Sequence, residues 1–392
     1  APFSSGENNV AIGYQSLLQF TTGGSNTGVG GQSAYSVTTG VENVALGQTA
    51  LFYNQTGHYN VAIGRASMYG VSGNSHENNT AVGYKSLFGI TTGNNNVAVG
   101  AAAGYDLTTG GSNVLVGYGA GDNASTLGSS IGIGYQSLGG ANSTLLTGAN
   151  ASVAIGYQAA GNASGNWGNG VYIGYLAGKY DINGSNTAIG YRAMEVASGS
   201  QMTWNTAVGT QAMNNISYAN SFANTAIGYQ ALKGGAVTAA VQYNVAIGSG
   251  NLASVTAAVG NVAIGGSAVL SALTTGQNNV GIARGAGQTL TTTNHCILIG
   301  ADSGNVLDGT GPNGTIAIGH LALATHTTGA RNIAIGWEAM HDTNAGSTSQ
   351  GSSDNIFMGY AAGGGTWVDT ASNYNVAIGN YSLDGALDGA LN

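Results

Sequence analysis

The chain has 392 residues, of which seven are Lys or Arg and fifteen are Asp or Glu, so 6% are charged where soluble domains carry about 25%. With 43% hydrophobic residues there is material for a core, which excludes ordinary disorder, and two prolines beside 69 glycines exclude collagen. A net charge of −8 leaves no clustered Lys and Arg for nucleic acid, no apolar run of about 18 residues crosses a membrane as a helix, and the single cysteine, Cys296, allows no internal disulfide.

Residues 1–8 are a lead-in. At Asn9 the string Asn-Val-Ala-Ile-Gly begins, and it occurs in 21 copies, starting at residues 9, 26, 43, 60, 79, 96, 113, 130, 152, 170, 186, 205, 224, 244, 261, 279, 296, 315, 332, 355 and 375. Nine of the intervals are 17 residues and the others run from 16 to 23. Such a period marks one turn of a repeat array, not a succession of globular domains. Residues 9–383 are therefore expected to form one solenoid, with 384–392 as a C-terminal tail. The first position of the string is Asn in 16 copies; Ser130, Ser152, Gly170, Cys296 and Thr315 are the exceptions. The second is always Val, Ile or Thr, the third is Ala in 14 copies and Gly in three, the fourth is aliphatic or Met358, and the fifth is Gly except for Ala283. Ala or Ser stands three residues after that glycine in 20 copies, often followed by Leu or Met, as at Leu17, Leu87 and Met194. Six copies carry Thr-Thr-Gly, its glycine three residues before the next Asn.

β-branched residues at the second and fourth positions favour an extended strand, and the glycine ends it. A second short strand is expected to follow, as in Tyr-Gln-Ala-Leu at Tyr229 to Leu232. A turn of this length holds two short strands and two bends but no helix. The predicted fold is thus all-β: a parallel β-solenoid, or β-roll, of about 21 repeats of 16–23 residues, rising about 4.8 Å per turn to roughly 100 Å. Equal positions stack, so Asn9, Asn26, Asn43, Asn60, Asn79, Asn96 and Asn113 are expected to form an amide ladder. Period-two geometry puts the second and fourth side chains on one face and the third on the other. Val and Ile are expected to fill the interior, leaving the third position outside. No copy has a charge there, so this face too should be covered, by further copies of the chain, with a single thin coil that tolerates exposed Ala as the alternative. Small residues allow close approach at a symmetry axis, which points to a homotrimeric fibre, with two chains as the open alternative. The position two after the glycine, polar at Gln15, Lys85, Gln136, Arg192, Gln230 and Glu338, should face solvent.

The Asn-Val-Ala-Ile-Gly string resembles the head repeat of YadA-like trimeric autotransporter adhesins. The longer Asn-Thr-Ala-Ile-Gly-Tyr-Gln-Ala-Leu at Asn224 to Leu232, with Thr-Thr-Gly spacers, is similar to repeats of phage tail fibres and bacterial surface proteins that end in an intramolecular chaperone domain. The resemblance covers Asn9 to about Leu383. It implies a trimeric β-roll, a structural and adhesive role, and an extracellular location on a virion tail or a bacterial cell surface. The repeat here is longer than the adhesin head repeat, so the loops differ; the chaperone, stalk or anchor region that the resemblance implies is expected either to be cleaved off or to belong to a larger protein of which this chain is a piece.

The residues supply no catalytic constellation, metal site or cofactor motif. His58, His76, His295, His320, His326 and His341 fall in unrelated positions. The six-residue spacing of His320 and His326 is no metal spacing. His295 and Cys296 are adjacent on a strand and point to opposite faces, so a buried thiol is expected. Asp302 and Asp308 lack the ligand alternation of a calcium loop. Recognition is expected in the loops, where Trp167, Trp204, Tyr218, Phe222, Trp367 and Tyr374 lie among Asn, Ser and Gly, a composition suited to host-surface glycan or protein contacts; capping of the coil's ends or packing between subunits is the alternative for these rings. The expected function is a structural extracellular fibre module, a tail-fibre or adhesin shaft or head, that presents loops for attachment to a surface. A polysaccharide-degrading tailspike-like enzyme and a purely structural filament subunit are the alternatives. An ice-binding role is disfavoured, because the Thr pairs fall in turns.

Overall fold

The structure is a computed structural model that describes residues 5–139, 151–162, 168–181, 184–195, 202–216, 220–308, 311–342, 351–365, 367 and 371–385. The chain divides into two compact units, residues 1–199 and 200–392. Both are parallel β-solenoids, and no α-helix occurs among the described residues. In the first unit eleven three-residue strands, from Val10–Ile12 to Thr187–Ile189, pair in sequence order with the repeat positions in register: Val10 opposite Thr27, Ala11 opposite Gly28, Ile12 opposite Val29. In the second unit ten strands, from Thr206–Val208 to Val376–Ile378, pair in the same way. Every copy of the repeat thus supplies one strand.

The faces of that strand are the reverse of the sequence-based expectation. The third position is the buried one: Ala45, Ala62, Ala81, Ala98 and Ala154 are all 0% exposed. The second and fourth side chains point outward and are half-buried or exposed in every strand, as with Val97 and Val99 at 37% each. The cause is the thinness of the coil. The third residue meets the returning segment directly; a Cβ at Gly28 would stand 2.6 Å from Ser16 Oγ, and Ser67 Oγ donates to the Ala81 carbonyl at 3.0 Å. Only Ala or Gly fits there, unless the opposite wall recedes.

At four places it does recede. Leu115, Tyr172, Leu298 and Phe357 occupy the third position with 0% exposure, and each faces a glycine four residues after its own repeat glycine: Gly121, Gly178, Gly304 and Gly363. A Cβ at Gly121 would lie 2.8 Å from Leu115 Cδ2, and one at Gly304 would lie 2.9 Å from Leu298 Cδ2. Gly104 and Gly287, one turn earlier, also face Leu115 and Leu298, and in most other copies that position carries Leu or Met, as at Leu51, Met68 and Leu87, all buried. Volume is conserved across the thin core, as close packing requires.

The segment after the glycine is not a second strand. It is a ribbon in which residues two and four past the glycine take left-handed backbone: Gln15, Gln32 and Thr49 at φ of 54° to 57°, Leu17, Ala34 and Leu51 at 48° to 53°. A third such column precedes the Asn, with Ser25, Glu42 and Tyr59 at 56° to 60°. Few of these residues are Gly or Asn. Bonds between turns hold them: Gln32 N–H donates to the Tyr14 carbonyl at 2.7 Å, and Leu17 N–H to the Ser33 carbonyl at 3.0 Å. The repeat glycine is the position least able to carry a side chain, and Ala283, at φ 88°, is its one exception. Its φ lies at 126° to 133° in Gly13, Gly30, Gly47 and Gly64, and a Cβ on Gly30 would sit 2.7 Å from the backbone of Gly47 in the next turn.

Candidate functional site

The seven predicted ladder asparagines of the first unit are brought together in one column. From Asn9 to Asn96 each Oδ1 accepts two bonds from the next Asn, one from its backbone N–H and one from its Nδ2; for Asn43 to Asn26 both are 3.0 Å. The other Nδ2 proton goes to a carbonyl of the following turn, as from Asn96 to Gly110 at 3.0 Å. Asn26 through Asn113 are buried, with exposures of 0–1%. The column passes to Ser130, whose backbone N–H donates to Asn113 Oδ1 at 3.0 Å. At Gly170 the side chain is missing, and Tyr172 fills the space: its hydroxyl donates to Asp181 Oδ2 at 2.6 Å, and Asn186 Nδ2 donates to the same oxygen at 2.7 Å. In the second unit a like column runs from Asn205 to Asn279 and ends at Cys296 N–H.

Of the loop aromatics, Trp204 and Phe222 come together. Their rings meet edge to face at 6.2 Å, and Tyr243 joins Phe222 at 5.1 Å. Trp204 and Tyr243 are exposed, as is Tyr374, which stands apart from this cluster. Trp367 is a correction: it is fully buried, its ring tilted 56° against Phe357 at 5.6 Å, with Nε1 donating to the Gly363 carbonyl at 3.0 Å. The large residue at the third position opens the core there, and the indole completes it. Trp167 and Tyr218 lie outside the described residues.

The titratable groups are scattered. His76 and His326 are buried, and burial lowers both imidazoles to about 4. His326 takes a core place otherwise held by Val37, Ile90 or Leu107, while His76 takes the glycine place of Thr-Thr-Gly. His320 lies on Trp337 at 4.4 Å. Cys296 is buried, its Sγ donating to the Pro312 carbonyl at 3.1 Å, and burial pushes the thiol up to about 11. Asp302 pairs with Arg284 at 2.6 Å, and Asp308 accepts from Thr291 at 3.1 Å, so these two carboxylates are engaged separately. Asp122 is pushed up to about 7, mainly by burial and secondarily by Asp106, and its Oδ1 has no hydrogen-bond partner. Among the described residues no three His, Cys, Asp or Glu side chains gather as a metal set.

Two features of the surface were not foreseen from the sequence. One is an exposed aromatic stack in the first unit: Tyr118, Tyr135, Tyr157, Tyr175 and Tyr191 follow the repeat glycine in successive turns, with centroids 5.1–5.4 Å apart and rings within 14° of parallel. The other is a polar groove of about 380 Å³ at the corner where the chain turns toward the ladder. Thr39, Thr56 and Ser75 form one wall, one residue before the Thr-Thr-Gly glycine place. His58, Glu77 and Asn94 form the other, one residue after it, and Gly57 and His76 lie between them. The pattern is readable in hindsight: aligned loops put hydroxyls in one column across successive turns. No known protein family, curated protein or solved structure matches the chain.

Proposed function

We propose that the chain is a structural module of an extracellular fibre, a phage tail fibre or bacterial surface adhesin shaft or head, which self-associates as a homotrimer and presents its loops for attachment to a surface. The observation that carries this is the outward strand face. In every described strand its two side chains are Val, Ile, Leu, Met or Thr, never charged, and none is buried in the single chain. The outward side chains of the first unit form an apolar face repeated over eleven turns, with Val97, Val99, Ile131 and Ile133 at 37–38% exposed, and a contiguous apolar face of this kind marks an interaction surface. A face repeated turn after turn is complementary to itself by symmetry, so further copies of the chain are the natural cover. The choice of three copies follows the resemblance of the repeat to trimeric heads. The exposed rings of Trp204, Tyr243 and Tyr374 supply contact groups on the loops.

Sedimentation velocity with light scattering on the intact chain tests the proposal. A stable trimer is expected, and a monomer at micromolar concentration overturns it. Lysines at Val97, Val99 and Val114, all outward, should dissociate the assembly while leaving the β circular dichroism of the coil in place.

A further inference from the structure

We infer that the groove between the column Thr39, Thr56, Ser75 and the column His58, Glu77, Asn94 is a binding site for a neutral saccharide. This deepens the attachment role proposed above by giving it a ligand class. The lining is polar throughout, which excludes an apolar ligand. It contains no Lys or Arg, and its one carboxylate, Glu77, disfavours an anion. A single carboxylate also falls short of what a bare divalent cation needs. The groups that line it are both donors and acceptors. His58 Nδ1 accepts the Val41 N–H at 3.0 Å, so the ring proton sits on Nε2 and is free to donate. Asn94 Oδ1 accepts the Glu77 N–H at 2.7 Å, which fixes the amide and leaves its Nδ2 as a donor. Thr56 Oγ1 and the Thr56 N–H both converge on Ser75 Oγ at 3.0 Å, so the hydroxyl wall is held in place before any ligand arrives. The Glu77 carboxylate completes the set as an acceptor for sugar hydroxyls.

Next to the groove stands Tyr59, an exposed residue at 52%, with the His58 ring 6.0 Å away and tilted at 56°. Above and below it in its column are Glu42 and Asn78, so no other ring stacks on its face. An exposed ring face beside a row of fixed polar groups matches a pyranose, which has one face of C–H bonds and a rim of hydroxyls. The groove volume of about 380 Å³ lies within the range of small-molecule clefts.

The test is saturation-transfer NMR and calorimetry on the native full chain with glucose, galactose, mannose, N-acetylglucosamine and their β-linked disaccharides. Saturable binding of at least one of these is expected, weakened tenfold or more by Tyr59→Ala and by Glu77→Gln, and unchanged by Tyr229→Ala, an exposed ring outside the groove and outside the loop contact groups. Thr39→Val, a near-isosteric change at an exposed site, serves as a third variant, and a melting temperature equal to the parent's shows that each variant is folded. Failure of all the neutral sugars at millimolar concentration overturns the assignment. So does binding that survives both Tyr59→Ala and Glu77→Gln, or a preference for sialylated sugars or tetramethylammonium. The oligomeric state is measured separately: a trimer that binds no sugar sinks the groove assignment alone, and a monomer that binds sugar sinks the fibre alone.

Discussion

At the scale of single residues, the buried histidines set the acid limit of the fold. His76 and His326 stay neutral inside the coil, with folded values of about 4 against about 6.5 when exposed. The unfolded chain therefore binds more protons between those two values. The stability that neutral burial secures is complete above pH 6.5 and is lost as the pH falls toward 4, by on the order of 3 kcal/mol for each ring. Melting temperatures measured from pH 8 to pH 4 should fall through that window. His326→Leu, which restores the residue type found at Leu107, should flatten part of the fall. Asp122 works in the opposite direction. Its folded value is raised to about 7, so the folded state holds its proton where the unfolded state has released it, and stability declines as pH rises above the ordinary carboxylate range. Asp122→Asn should therefore raise the melting temperature at pH 8 and lose that benefit near pH 4. None of this was legible in the sequence, where a histidine in an Asn- and Gly-rich loop looks solvated. What decides burial is the stacking of one turn on the next.

At the scale of the repeated element, two structural rules operate: the amide column and the conserved core volume. Asn96→Ala would remove two donations and two acceptances at once and strand buried partners on both sides. A loss of about 2–4 kcal/mol is expected from urea unfolding. Gly170→Asn would seem to repair the column, yet Tyr172 already occupies that space. The single change should destabilise, and Gly170→Asn combined with Tyr172→Ala should recover part of the loss; additivity in this double-mutant cycle would refute the splice. The column itself could be read from the sequence, because Asn recurs at one position and stacking follows from the period. The inner and outer faces could not be read from alternation, which separates two faces without saying which is inside. Side-chain volume held the missing information: a position that is Ala or Gly in nearly every copy, and larger only opposite a glycine, is the inside of a narrow tube. The left-handed ribbon was illegible for a different reason. Gln, Leu and Thr do not favour that backbone by themselves, and the bonds that impose it come from the adjacent turn.

At the scale of the whole molecule, low charge follows from the architecture. The interior takes the small third residues, the outward strand face is apolar, and the turns use Gly, Asn and Thr, so charged groups are left with a few exterior pairs such as Arg331 with Asp354 at 2.6 Å. An exposed pair of this kind contributes little, and raising salt should leave the melting temperature nearly unchanged. Pronounced salt sensitivity would show that electrostatics matter more than the burial pattern implies.

The left-handed residues bear on how such a chain comes to be folded. Each costs about 1–2 kcal/mol when nothing holds it, and a turn contains three, so an isolated turn begins several kcal/mol in debt. A finished turn offers the next one the carbonyls that correct this, and so acts as a mould. Growth is then easy and initiation rare, which is the behaviour of a one-dimensional crystal. Cooling and heating curves should fail to superimpose, with refolding lagging far behind melting, and pre-folded fragments added as seeds should shorten that lag.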